Sequence, residues 1–124
     1  MRRYITLAFA AATLLMAQAK GAITFDKTNA DFGTVKANGG TVTMTFPFTN
    51  TGDEAVGIVT VTNGGCGCTK PQFPQKPVRP GEKGIITITF NPATFRGEVK
   101  RNVKVQTSAE RKRTQLTFSG VVVP

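Results

Sequence analysis

Residues Thr41–Asn50 read TVTMTFPFTN, and this stretch decides the fold. Val42, Met44, Phe46 and Phe48 alternate with Thr41, Thr43, Thr45 and Pro47. A period of two puts the apolar side chains on one face of an extended strand and the polar ones on the other. Gly39-Gly40 before the run and Thr51-Gly52-Asp53 after it are turn signals. Pro47 has no N–H to give to a ladder, so it is expected at an edge or a bulge.

The alternation recurs on both sides of this stretch. Ala22–Phe25 and Phe32–Val35 read as a broken first strand, and Ala55–Thr62 as the strand after the central one. Gly84–Phe90 puts Ile86, Ile88 and Phe90 on one face and Ile85, Thr87 and Thr89 on the other. Glu98–Thr107 turns Val99, Val103 and Val105 inward. Arg101 falls in the apolar phase, which predicts exposure near that strand's start. Thr114–Val123 closes the chain with Leu116, Phe118 and Val122 in phase, and Ser108-Ala109-Glu110 is expected to make a hairpin with the strand before it. No helical period appears after residue 20. About seven short strands with turn signals between them predict an all-β, immunoglobulin-like antiparallel sandwich. A closed barrel is the competing architecture. The chain has no Trp, and its two cysteines stand too close in sequence to bridge two sheets, so Phe and aliphatic packing must hold the layers.

The chain opens MRRYITLAFAAATLLMAQAKG. Arg2 and Arg3 precede the uncharged, mostly apolar run Ile5–Met16, and Ala17-Gln18-Ala19 follows. A charged start, a short apolar run and a small-x-small end are the pattern of a secretory signal peptide, here residues 1–19. A membrane-spanning helix needs about 20 apolar residues, more than this run supplies; an uncleaved apolar anchor is the rival. Residues 20–124 then form a single domain, long enough to bury a modest core. A periplasmic or secreted location is expected.

The full chain carries 16 basic and 7 acidic residues, a formal charge of +9; loss of Arg2 and Arg3 leaves +7. An exported chain does not meet cytosolic nucleic acid. Its charge points instead to an anionic glycan, a lipid phosphate or an acidic face of another envelope protein, or simply to solubility.

Three stretches together resemble one family: ITFDKTNADFGTV, FPFTNTGDEAVGIVTVTNGGCGCT and PVRPGEKGIITITFNPATFRGEVKRNVKVQT. The most specific parts are Asp31-Phe32-Gly33, Phe48-Thr49-Asn50-Thr51-Gly52, Cys66-Gly67-Cys68-Thr69 and Pro80-Gly81-Glu82. On these the chain resembles the bacterial exported proteins grouped as the domain of unknown function numbered fifteen-seventy-three, which is similar to the Hydin-like and major-sperm-protein-like branch of immunoglobulin sandwiches. The resemblance runs from Ile23 to Val123. It implies an envelope or secreted location and a sandwich, and brings no biochemical activity. Each motif also has a backbone reading. Gly33 and Gly52 suit positive φ. Asn50 can bond the backbone two residues on. Pro80-Gly81 fits a type II turn.

The only two cysteines, Cys66 and Cys68, lie in the stretch TNGGCGCTKP from Thr62 to Pro71. In extended backbone, residues i and i+2 project to one face, which sets the two sulfurs side by side. Lys70 adds positive charge, which favours thiolate. Three readings stay open. Export favours a disulfide, in a ring so small that it should reduce easily and could take part in redox chemistry. Two thiolates suit Cu(I), whereas zinc wants about four ligands and the chain has no His and no third Cys. The third reading is a structural turn whose small thiols pack against a neighbouring loop.

Other chemistry is thin. Without His the commonest general base near neutral pH is missing. The acidic residues are scattered in sequence, and the glycine-rich stretch lacks the Lys-Ser/Thr end of a phosphate loop. A non-enzyme is expected. Lys100 and Lys104 share the outward face of one strand, and Arg111, Lys112 and Arg113 sit at the next hairpin. They are a candidate anion-binding set, with strand-edge protection as the plain alternative. No aromatic residues interleave them, which argues against single-stranded nucleic acid. Phe73 and the prolines 71, 74, 77 and 80 make a stiff segment that covers the core or faces a partner. The expected role is a non-catalytic binding or assembly module of the cell envelope, with a thiol-redox or copper-handling protein as the alternative.

Overall fold

The computed structural model describes residues 21–124. The expected leader, residues 1–19, lies outside the described residues. Eight strands follow one another without a helix among them: β1 (Ile23–Phe25), β2 (Asn29–Lys36), β3 (Val42–Asn50), β4 (Ile58–Val61), β5 (Thr69–Gln72), β6 (Lys83–Phe90), β7 (Gly97–Thr107) and β8 (Thr114–Val123). They form two four-stranded sheets, ordered β1-β3-β6-β5 and β2-β8-β7-β4.

The alternation in the central stretch sorts its side chains as expected. Met44, Phe46 and Phe48 are buried, and so are Ile86, Ile88 and Phe90 opposite them on β6. From the second sheet come Val99, Val103, Val105, Leu116, Phe118 and Val122. Each such side chain contributes about 1.5–3 kcal/mol of burial. Phe90 is the centre of an aromatic cluster, with ring centroids 5.3 Å from Phe118, 5.6 Å from Phe32 and 5.0 Å from Phe95. Tilted rings at these spacings add attraction beyond the area they bury.

Several expectations need correction. The first strand is broken because its halves join different sheets. β1 pairs antiparallel with β3, whereas β2 pairs parallel with β8, so the sandwich is not wholly antiparallel. Asp26-Lys27-Thr28 make the crossing. Pro47 is not on an edge strand: β3 lies between β1 and β6. Its carbonyl accepts from the Asp26 N–H at 3.0 Å, just where β1 has ended, so its missing N–H falls at the end of a ladder rather than within one. Arg101 is half-buried, not open, and its guanidinium lies 5.8 Å from the centroid of the Phe95 ring. Thr69–Gln72 adds the strand that periodicity did not show. It is short and carries Pro71, as an edge strand tolerates.

The motifs prove to be backbone devices. Asp31 accepts from the Gly33 N–H at 2.7 Å, and Gly33 takes φ +75°. The register of β2 against β8 shifts there, so Ala30 and Phe32 before the bulge and Val35 after it all face the core. Arg79 to Glu82 close a turn by a 3.0 Å bond, with Gly81 at φ +80°. Gly52 does not take positive φ; its N–H donates to Asn50 Oδ1 at 2.9 Å instead. The stiff proline segment covers the core: Phe73 packs on it and Val78 is buried, bridged to Val56.

Candidate functional site

The cysteine stretch connects β4, at the edge of one sheet, to β5, at the edge of the other. It must turn sharply to do so. Gly64 and Gly65 take φ +70° and +80°, which only glycine adopts without penalty. Asn63 Oδ1 accepts from the Gly65 N–H at 2.9 Å, and its carbonyl accepts from the Cys66 N–H at 3.4 Å. The Thr69 N–H reaches back to the Cys66 carbonyl at 3.2 Å. The Cys68 carbonyl accepts from the Asn91 N–H at 2.8 Å, which fastens the loop to the β6–β7 connection.

Within this frame Cys66 and Cys68 are joined as a disulfide, with their Cα atoms 5.2 Å apart. The Cys68 N–H points at Cys66 Sγ from 3.2 Å. Cys68 Sγ lies 3.6 Å from the hydroxyl of Thr69, which is buried. Both cysteines are half-exposed, but only Cys68 packs against the hydrophobic core. Cys68 also lines a depression of about 210 Å³ with Thr41, Gly67, Lys70, Thr89 and Asn91. Joined in this way the sulfurs offer no thiolates, so a copper clip at Cys66 and Cys68 would require the reduced protein.

The basic candidates fall into two groups. Lys100 and Lys104 stand on the outer face of β7, about 13 Å apart at the strand rise. With Thr62, Gly64, Arg101 and Asn102 they line an open depression of about 380 Å³ beside the cysteine loop. The loop is held to β7 at this point: the Thr62 N–H donates to the Lys104 carbonyl at 2.9 Å, and the Lys104 N–H to Thr62 Oγ1 at 3.0 Å. Arg111, Lys112 and Arg113 lie in the connection from β7 to β8, beyond the other end of β4. All three are exposed, and Arg113 donates from Nε to Gln106 Oε1 at 3.2 Å. The structure thus brings Lys100 and Lys104 to the cysteine loop and leaves the three hairpin residues at the far end.

Sequence reading missed two things here. The contact between the cysteine loop and β7 is set by strand order, which no local signal shows. Asp31 and Glu98, far apart in sequence, line one depression with Lys100 and Ser119, because β8 separates β2 from β7 by a single strand. The two carboxylates offset the charge at the Lys100 end, so the basic face is strongest toward Lys104. Among the described residues no group of three or more His, Cys, Asp or Glu is placed to hold a metal ion, and no helix is long and apolar enough to cross a membrane.

The family model described as "Protein of unknown function (DUF1573)" matches residues 23–122. Comparison with curated protein sequences finds no match. Three solved structures share the fold. A protein of unknown function from Porphyromonas gingivalis W83 superposes with TM-score 0.69 at 14% identity, over 85% of this chain and 48% of that one. The Vibrio cholerae VesB protease gives TM-score 0.61 at 12% identity, over 90% of this chain and 34% of that one. The Pseudomonas aeruginosa CupB2 chaperone gives 0.56 at 13% identity, over 80% and 55%. The chain therefore spans about half or less of the length of these proteins, and the likeness is one of fold.

Proposed function

Since the chain belongs to DUF1573, a family of proteins of unknown function, we propose that it is an exported, non-catalytic binding or assembly module of the bacterial cell envelope. Its contact surface is the cysteine loop together with the outer face of β7. One observation carries this reading. Lys100 and Lys104 form one wall of an open depression whose other wall is the rigidly bonded Thr62–Gly64 rim. Two ammonium groups beside a fixed loop suit an anionic group on a glycan or a lipid phosphate, held at the surface and released by salt. The leader-like pattern in residues 1–19 supports export to the periplasm or beyond. The absence of His from the chain supports a non-catalytic role.

The test is co-sedimentation of the purified protein with vesicles containing anionic phospholipid, and in parallel with a soluble anionic polysaccharide, over a range of salt. Lys100→Glu with Lys104→Glu should weaken binding roughly tenfold or more, since each basic residue near an anionic surface contributes about 1 kcal/mol. Charge reversal at Arg111, Lys112 and Arg113 should weaken it less. Binding that survives the lysine pair unchanged, or that ignores salt, removes the proposal.

A further inference from the structure

Both cysteines of the chain are spent on a ring with a single residue, Gly67, between them. A cross-link stabilises chiefly by restricting the unfolded chain, and the effect grows with the length of loop closed. A ring this short restricts very little. Nor does the loop need the bond for its shape, because Asn63, Thr69 and Asn91 already hold it by the backbone and side-chain hydrogen bonds given above. The disulfide is therefore poorly explained as a staple.

The two sulfurs are also not equivalent. Cys68 packs inward against the core, whereas Cys66 does not. The Cys68 N–H is aimed at Cys66 Sγ, so negative charge arising on that sulfur meets a donor already in place. Cys68 Sγ has the Thr69 hydroxyl beside it, and Lys70 lines the same depression. Each sulfur thus has its own group ready to receive a thiolate.

We propose that Cys66 and Cys68 are an exchangeable dithiol–disulfide pair acting on a partner protein's dithiol or disulfide, with Cys66 the sulfur that trades partners and Cys68 the one that closes the ring. In the oxidising direction a thiolate of the partner dithiol attacks Cys66 Sγ. A partner–Cys66 disulfide forms as the Cys66–Cys68 bond breaks, and the electron pair passes to Cys68 Sγ beside the Thr69 hydroxyl. The partner's second thiol, losing its proton to solvent, then attacks its own sulfur in the mixed disulfide. Cys66 leaves as a thiolate facing the Cys68 N–H. The partner has lost two electrons and become a disulfide; the pair has gained them and, after protonation from solvent, is a dithiol. The reverse sequence reduces a partner disulfide. The proposal is independent of the basic depression.

The experiment equilibrates the protein in glutathione buffers of graded reduced-to-oxidised ratio, quenches with acid and alkylates, and reads the state by mass spectrometry. The pair is expected to pass fully between disulfide and dithiol within the range glutathione covers, unlike structural disulfides, which resist that couple. With oxidised glutathione, Cys68→Ala should accumulate a mixed disulfide on Cys66 at least about tenfold faster than Cys66→Ala accumulates one on Cys68, because Cys68 packs inward against the core. Thermal melting should move by less than about 5 °C on reduction. A bond that stays closed at the most reducing ratio, or a larger fall in melting temperature, makes the disulfide a structural staple and overturns the proposal. Equal rates in the two variants overturn the assignment of Cys66.

Discussion

The Phe32 ring lies against Gly120, in the space where a side chain on Gly120 would begin. Phe32 shares its inward face with Ala30, two residues earlier on β2, and its ring centroid lies 5.6 Å from that of Phe90 and 6.3 Å from that of Phe118. Gly120→Ala should force the ring out of its seat. Overpacking of this kind costs about 1–3 kcal/mol. Urea unfolding of Gly120→Ala, compared with Phe32→Leu and the double variant, checks it. The double variant should recover part of the loss, and strict additivity would show that the two residues do not interact.

Asn50 is buried, and its amide is fully used. Nδ2 donates to the Glu54 carbonyl at 2.7 Å and to the Val78 carbonyl at 2.9 Å, and Oδ1 accepts from the Gly52 N–H at 2.9 Å. It ties the turn after β3 to the strap before β6. Asn50→Ala removes three hydrogen bonds, of which the Val78 carbonyl alone keeps a second donor, the Val56 N–H, and should destabilise the protein by on the order of 3 kcal/mol. Asn50→Asp keeps an acceptor for Gly52 but turns an acceptor toward the two carbonyls, so it should rescue nothing. Chemical denaturation midpoints measure both, and a loss below about 1 kcal/mol for Asn50→Ala would be incompatible with this role.

At Gly64, φ is +70° and a Cβ would stand 2.9 Å from the Asn102 carbonyl oxygen of β7. Gly64→Ala therefore meets both a backbone penalty of about 1–2 kcal/mol and a steric one. At Gly67 φ is not positive and a Cβ would meet nothing within 4 Å. Gly67→Ala should stay within about 0.5 kcal/mol of the parent. Thermal melting of the pair separates the two positions, and equal effects would argue against the tight seat on β7.

Arg101 projects on the core-facing side of β7 and ends 5.8 Å from the Phe95 ring centroid, while Phe95 itself lies 5.0 Å from Phe90. Arg101→Ala should lose about 0.5–1 kcal/mol from the cation–ring contact. Arg101→Lys should keep part of it, because the charge remains while the planar stacking is lost. The ordering parent, Lys, Ala in urea midpoints is the expected result; Phe95→Leu should abolish the difference between Lys and Ala.

What the chain order alone determines is the pairing of faces. Period-two alternation in Val42–Phe48, Ile86–Phe90 and Val99–Val105 is enough to say which side chains lie between two sheets, because side-chain direction in a strand follows from local covalent geometry. Turn residues are local too, so the Asn50–Gly52 bond and the Arg79–Glu82 turn were legible before any fold was known. The sheet to which each strand belongs is not local. Nothing in Ile23–Phe25 and Asn29–Lys36 says that one joins β3 and the other lies parallel to β8, and the Thr69–Gln72 strand exists because β6 offers it an edge rather than because of its own pattern. The candidate site divides in the same way. The cysteine spacing and the lysine spacing are written in the sequence. Their meeting around Thr62 and Gly64 depends on hydrogen bonds between residues more than forty positions apart, Lys104 to Thr62 among them. Such long-range contacts depend on β4 lying beside β7, which is a matter of strand order and not of local sequence.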